Sequence, residues 1–272
     1  MNTLHTSTPI KIGANLMRLN KLALALSVAM FALPLSAMAQ DAAAPAAANE
    51  APEVAVVVEE AASNFSWNLG VTSDYVFRGI TQTDFDPALQ GGLDYAFGDS
   101  GWYVGTWASN VDFVALGTPD IELDAYFGYG TEIAEDWSLD LHAIRYFYLG
   151  ESDGYGSLDY NEYFAAVSYA EMLTFTVAYA NDYANADYSS TYFGLTGAFD
   201  VGHGFSLNAG VGYSDFSNDV GNYTDYNIGV SRSFGPVEAA LTYYDTTGDY
   251  ADSLYGGDNT SDTFVISFKI GG

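Results

Sequence analysis

The stretch NFSWNLGVTSDYVF, residues 64–77, places Phe65, Trp67, Leu69, Val71, Ser73, Tyr75 and Phe77 at odd positions and mostly Asn, Ser, Gly, Thr and Asp at even ones. A period of two gives a strand one apolar and one polar face, whereas a helix would scatter the same residues around its circumference. The pattern recurs to the end of the chain. Its apolar sets are Leu89/Leu93/Tyr95/Phe97, Tyr103/Trp107/Val111/Phe113, Ile121/Leu123/Phe127/Tyr129 and Trp137/Leu139/Leu141/Ala143, then Tyr163/Val167/Tyr169, Leu173/Phe175/Val177/Tyr179 and Phe193/Leu195/Phe199. Phe205/Leu207/Val211/Tyr213, Tyr226/Ile228/Val230, Val237/Leu241/Tyr243 and Phe264/Ile266/Phe268/Ile270 complete a predicted twelve strands. Residues 63–272 then allow about 17 residues per strand with its connection, enough for a membrane-crossing strand of ~9–11 plus a turn or loop.

The connections alternate in length. Tight ones are GDSG at 98, TEIAED at 131, AEM at 170, DVGHG at 200 and SFGP at 233. Longer ones are RGITQTDFD from 78, VALGTPD from 114, GESDGYGSLD from 150, NDYANADYSS from 181, SDFSNDVGNY from 214 and TTGDYADSLYGGDNT from 246. Such asymmetry predicts antiparallel hairpins with one plain and one elaborated rim. The expected fold is therefore all-β: a closed antiparallel transmembrane β-barrel of about twelve strands, with short periplasmic turns and longer extracellular loops. Closure is needed because an open edge in lipid leaves backbone groups unsatisfied. Aromatics near strand ends fit interfacial girdles.

Composition excludes competing classes. Seven Lys plus Arg against 35 Asp plus Glu give a net charge of −28, which argues against nucleic acid as a partner. With 16% aromatic residues the chain has too much apolar surface for disorder, and without Cys it has neither disulfides nor thiolate ligands. A soluble sandwich or lipocalin-like barrel would mix Lys with Glu on its wet face. Here the alternate positions are Gly, Ala, Ser, Thr, Asn and Asp, which suit a crowded, wet lumen.

The first residues read as an address. Lys11, Arg18 and Lys21 precede the apolar run Leu22–Leu35, which ends at Ala37-Met38-Ala39, so residues 1–39 are expected to be a signal peptide cleaved after Ala39. Its core is shorter than the ~20 residues of a spanning helix. Cleavage leaves four positive against 35 negative charges, a net −31. Residues 40–62, rich in Ala, Pro and Glu, are expected to form a disordered periplasmic spacer ahead of the barrel at 63–272.

Candidate chemistry is sparse. His203 sits in a turn. His142 lies on the lumen parity, but two residues on stands Ile144 rather than the Ser that an outer-membrane phospholipase sets beside its barrel-wall His, so no enzyme is expected. The acidic loops ESDGYGSLDYNE and GDYADSLYGGDN lack the twelve-residue Ca²⁺-loop pattern, and no metal or cofactor is expected. The residues expected to line a pore are Asp74, Arg78, Gln90, Asp94, Asn110, Asp112, Glu122, Asp124, Asp140, Glu162, Asp225 and Glu238, because ionisable groups at membrane depth must face water or one another. Asn227 and Lys269 share their parity. Arg78 is expected to pair with Asp74 or Asp112. Arg145 breaks the apolar parity of its strand, so either a bulge turns Ile144, Tyr146 and Tyr148 outward or Arg145 snorkels at the rim.

The run SDYVFRGITQT at 73–83, followed by Pro87-Ala88, Gln90-Gly91-Gly92 and WASNVDF at 107–113, resembles the TorF-type porin family of proteobacteria, as do DYNEYFAAVSY at 159 and DYNIGVSRSFGPVEAALTYYDT at 225. The resemblance implies an outer-membrane porin-like protein of no assigned substrate. The end, Phe268-Lys269-Ile270-Gly271-Gly272, departs from the terminal aromatic common in such barrels, leaving Phe268 or Ile270 to serve in assembly. The reading is a Gram-negative outer-membrane channel for small hydrophilic solutes, favouring cations or neutral molecules. Its expected partners are outer-membrane lipids, lipopolysaccharide and the barrel-assembly machinery. The alternative is a non-conducting barrel acting as adhesin, receptor or scaffold.

Overall fold

Alternation of large apolar and small polar side chains builds the wall. The computed structural model describes residues 64–113, 120–150, 157–247 and 259–272, so the leader at 1–39 and the spacer at 40–62 lie outside the described residues. The strands are β1 (Phe65–Thr72), β2 (Val76–Phe77), β3 (Ile80–Thr81), β4 (Ala88–Ala96), β5 (Trp102–Asn110), β6 (Ile121–Ala134), β7 (Trp137–Leu149), β8 (Tyr160–Tyr169), β9 (Leu173–Ala180), β10 (Ser190–Gly202), β11 (Phe205–Phe216), β12 (Gly221–Phe234), β13 (Val237–Thr247) and β14 (Thr263–Gly271). Twelve of them, all but β2 and β3, form one closed barrel. Neighbours in the wall are antiparallel, and β1 closes on β14 with Leu69 opposite Ile270 and Val71 opposite Phe268. Among the described residues no wall strand is left with an unpaired edge.

On the outer face Trp67, Leu69, Val71, Phe127, Leu141, Phe175, Leu195, Ile228, Leu241 and Ile266 stand exposed in a continuous apolar band. The turns at one end are short. His203 and Gly204, both at positive φ, make a two-residue link between β10 and β11 of the kind that matches strand twist. Cysteines placed singly at Val71 and Asn68 test the two faces: the first should be shielded by detergent, and the second should react with a hydrophilic thiol reagent. Equal labelling would indicate a soluble fold.

Three expectations change. The first strand leaves the wall at Thr72 rather than running to Phe77, and Tyr75, expected against lipid, is 1% exposed inside the barrel. In β5 the two faces are exchanged: Trp102 and Val104 point out, while Tyr103 and Trp107 point in. Bulk alone assigns these rings to lipid, yet inside they find partners, Trp107 on Tyr75 at 5.5 Å and Tyr103 on Asp140 at 2.8 Å. The connection read as SDFSNDVGNY shrinks to residues 217–220 because β11 and β12 extend further than their apolar runs. Of the two alternatives left open for β7, no bulge intervenes around residue 145: Ile144 and Tyr146 stay inside and Arg145 points outward, 3.7 Å from Asp159.

Candidate functional site

The interior is organised by the chain between β1 and β4. Ser73 is tied to the wall, its N–H donating to Ile266 O at 2.9 Å and its hydroxyl oxygen accepting from Ile266 N–H at 3.0 Å, and the next residues turn inward. Val76 and Phe77 pair with Thr81 and Ile80 across a two-residue turn, Arg78-Gly79, in which both φ angles are positive, +46° and +79°. That is the backbone of a tight hairpin turn. The hairpin is pinned at its base by Asp74, whose carboxylate accepts hydroxyl hydrogen bonds from Thr81 at 2.5 Å and Thr83 at 3.1 Å. Burial raises the Asp74 carboxyl above the usual carboxylate range, opposed by those two donors. Gln82 N–H donates to Tyr75 O at 2.6 Å, and Asp112 N–H to Gln82 O at 2.9 Å.

Around this hairpin the half of the lumen next to the longer connections is packed like a protein core. Tyr75, Phe77 and Ile80 belong to one buried cluster with Phe113, Ile144, Tyr146, Tyr160, Tyr183, Tyr192 and Tyr223 from the wall and its connections. Rings stack in series, Tyr146 on Tyr160 at 4.5 Å and Tyr160 against Tyr183 at 5.0 Å. At the tip Arg78 donates to Glu162 at 3.0 Å, with side chains 5% and 0% exposed. The guanidinium also lies over the Tyr192 ring at 4.1 Å and the Phe77 ring at 4.6 Å, an arrangement suited to its planar, weakly hydrated charge. Glu162 accepts a second hydrogen bond from Tyr146 Oη at 3.1 Å. Gly79 is seated so closely that a Cβ there would lie 2.5 Å from Thr246 Cγ2 and 2.9 Å from Asp225 Cβ.

The structure brings six of the expected lining residues together here. Asp74, Arg78, Glu122, Asp124, Glu162 and Asp225 are all buried around the hairpin. Arg78 pairs with Glu162, not with Asp74 or Asp112, because the hairpin carries it across the lumen to β8. Gln90, Asp94, Asp140 and Glu238 stand on the inner face of the wall. Asp94 accepts a hydrogen bond from Tyr126 Oη, and Asp140 accepts from Tyr103 Oη at 2.8 Å and lies 2.5 Å from His142 Nδ1. His142 stacks on Phe164 at 4.4 Å, and Glu238 faces Lys269 across the β13–β14 register. Asn110 and Asp112 are corrections. Both are exposed at the rim, since the exchanged faces of β5 turn Asn110 outward, where it holds Leu89 N–H at 2.7 Å, and Asp112 follows the strand. Partial burial, then the neighbouring carboxylates of Asp84, Asp86 and Asp120, raise the Asp112 carboxyl.

Sequence reasoning missed the inward tyrosines. Tyr160 shares even parity with Glu162, a signal that is present in the sequence but is outweighed when ring bulk alone is taken to mean lipid; the facing of Tyr146 is open in the sequence together with that of Arg145. Among the described residues no three His, Asp or Glu side chains converge as metal ligands. What the arrangement can do is mechanical and electrostatic: a wedge held by a buried ion pair fills one half of the lumen, and Asp94, Asp140 and Glu238 stand on the inner wall beyond it.

Solved structures of similar shape include the NanC porin, 13% identical over 76% of this chain and 97% of that one with a TM-score of 0.46, and the KdgM porin, 5% identical over 76% and 97% with a TM-score of 0.45. OprD of Pseudomonas aeruginosa is 13% identical over 76% of this chain and 66% of its own, with a TM-score of 0.38. No curated protein matches the sequence. A family model described as a bacterial protein of unknown function, Gcw_chp, matches residues 58–269, and the chain belongs to that family.

Proposed function

We propose that this protein is a porin-like channel of the Gram-negative outer membrane whose lumen is closed on the outer side by the hairpin at 73–87. The observation that carries this reading is the wedge itself. It is inserted into a barrel with an apolar outside and an acidic inside, and among the described residues its tip is fastened by one ion pair, Arg78–Glu162. The resemblance to the TorF-type porins supports the same reading. The protein is exported by its leader, inserted by the barrel-assembly machinery and surrounded by outer-membrane lipids and lipopolysaccharide; it acts on small hydrophilic solutes, without enzymatic chemistry.

Planar-bilayer conductance tests this. Wild type should show rare, brief openings, and a variant with residues 75–83 replaced by a short Gly/Ser linker should stay open. A second reading, the non-conducting barrel, is favoured by the near-complete burial of the ion pair and its surrounding rings. Silence from the folded hairpin-deleted variant would establish it.

Selectivity is expected to favour cations. Asp94, Asp140 and Glu238 line the part of the wall away from the wedge, with Lys269 facing Glu238. The reversal potential of the hairpin-deleted variant in a KCl gradient should have the cation-selective sign and weaken with salt, as the screening length falls from ~30 Å at 0.01 M to ~10 Å at 0.1 M. Asp94→Asn with Asp140→Asn should reduce it, and an anion-selective potential would overturn the assignment. Orientation is tested by an epitope tag between Tyr155 and Gly156, on the β7–β8 connection. Whole cells should display it. Detection only in breached cells would invert the topology, and N-terminal sequencing should begin at Gln40.

A further inference from the structure

Two hollows lie along the outward side of β7, one reaching across β5 to β8 and the other across β7, β8 and the β9–β10 connection. One, of about 450 Å³, is apolar: Trp102, Phe127, Tyr129, Leu141 and Tyr163 wall it, with Ala143 between them. The other, of about 380 Å³, is polar and lined by Arg145, Asp159, Asn161, Asn181, Asp182 and Asn185. They are joined by register. Ala143 stands opposite Phe127 on one side and Tyr163 on the other, and two residues along the same strands Arg145 stands opposite Ala125 and Asn161. Two strand residues span roughly 7 Å, so the polar hollow begins where the apolar groove ends.

The local sequence explains both. Ala143 between two large rings leaves a furrow that a Leu or Phe at that position would fill. Beyond it the outward parity of β7, apolar elsewhere, is broken by Arg145, which lies over Phe147 at 5.4 Å. Its Nη2 is 3.7 Å from Asp159 Oδ2, within ion-pair range but beyond hydrogen-bond length, so guanidinium donors remain for a ligand. The lining is held in place from behind. Asp159 Oδ1 accepts from Tyr148 N–H at 3.0 Å, Asp182 Oδ1 accepts from Asp187 N–H at 2.8 Å, and Asn185 donates to Ser157 O at 2.9 Å.

We infer that these hollows form one lipid site, with an acyl chain in the groove over Ala143 and a saccharide headgroup in the hollow around Arg145. The inference rests on the outer-membrane reading above. A mixture of amides, carboxylates and a guanidinium offers donors and acceptors side by side, which suits hydroxyls able to do both. Two carboxylates against one guanidinium make the hollow net negative, which disfavours a phosphodiester headgroup. The occupant is therefore a glycolipid rather than a phospholipid.

The test uses full-length mature protein in nanodiscs of phosphatidylethanolamine containing a minor fraction of monoglucosyl diacylglycerol, with retained lipid counted by native mass spectrometry. Wild type should hold the glucolipid at about tenfold enrichment over the bulk ratio, a factor of ten in relative affinity. Ala143→Leu, which fills the furrow, and Asn161→Ala with Asp182→Ala, which strips the hollow, should each return the ratio to bulk. Ala209→Leu, an outward change on β11, should leave it unaltered. Retention at the bulk ratio by wild type, preference for the phospholipid, or enrichment that survives both variants would overturn the site. Failure of wild type to enter the nanodisc would overturn the outer-membrane reading, and the site with it.

Discussion

Arg78→Ala should unseat the hairpin and convert brief openings into sustained conductance. The variant leaves Glu162, whose side chain is 0% exposed, without its cation in the middle of a packed core. Breaking one partner of a buried pair costs about 3–5 kcal/mol, chiefly because the remaining charge is uncompensated. Glu162 can recover hydration only if the hairpin moves, so the loss appears as opening as well as a loss of stability. The heat-induced mobility shift of the folded barrel should also fall to lower temperature. Arg78→Lys keeps the charge but loses the guanidinium over the Tyr192 ring, and should be intermediate. Arg78→Met combined with Glu162→Met removes both charges, and should restore closure, since apolar replacement of a buried pair is often neutral or stabilising. Unchanged conductance and thermal stability in Arg78→Ala would remove the ion pair from the account of the plug.

Gly79→Val should have a comparable effect by a purely steric route. At φ +79° a side chain is already strained, by roughly 1–2 kcal/mol for a left-handed residue and more when it is β-branched. Here the added Cβ also meets Thr246 Cγ2 at 2.5 Å and Asp225 Cβ at 2.9 Å, so the hairpin tip must lift from β12 and β13. Gly98→Ala is the control. Gly98 has φ +57° but no atom lies within 4 Å of where the new methyl would stand, so it should show only the conformational cost and no change in conductance. Equal effects of the two substitutions would mean that strain, and not the seating of the tip, is being measured.

The barrel was legible because its cause is local. Each strand states its two faces through side-chain size, as in Phe65, Trp67, Leu69 and Val71 against Ser66, Asn68 and Gly70, and the order of short and long connections sets the antiparallel meander. Once lipid is the surroundings, closure follows from the need to pair every backbone group. The same local rule misled at Tyr75, Tyr103 and Trp107. Their bulk signals burial in something apolar but not whether that is lipid or a second layer of protein. A strand reports its period, and the sign of its phase is supplied by what fills the lumen.

The candidate site was legible only in part. Parity placed Glu122, Asp124, Glu162 and Asp225 on the inside, because ionisable residues at that depth must face water or one another. The pairing of Arg78 with Glu162 joins residues 84 apart in sequence, and no local pattern encodes it. It depends on the Arg78-Gly79 turn reversing the chain and on the barrel's curvature bringing β8 opposite β1. Sequence by itself determined the strand number, the outward face of most strands and the acidity of the interior, because these follow from period, size and charge along the chain. Tertiary structure alone decided that SDYVFRGITQT leaves the wall and fills the lumen, because that choice compares two burials, in lipid or among inward tyrosines, that exist only after the barrel has closed.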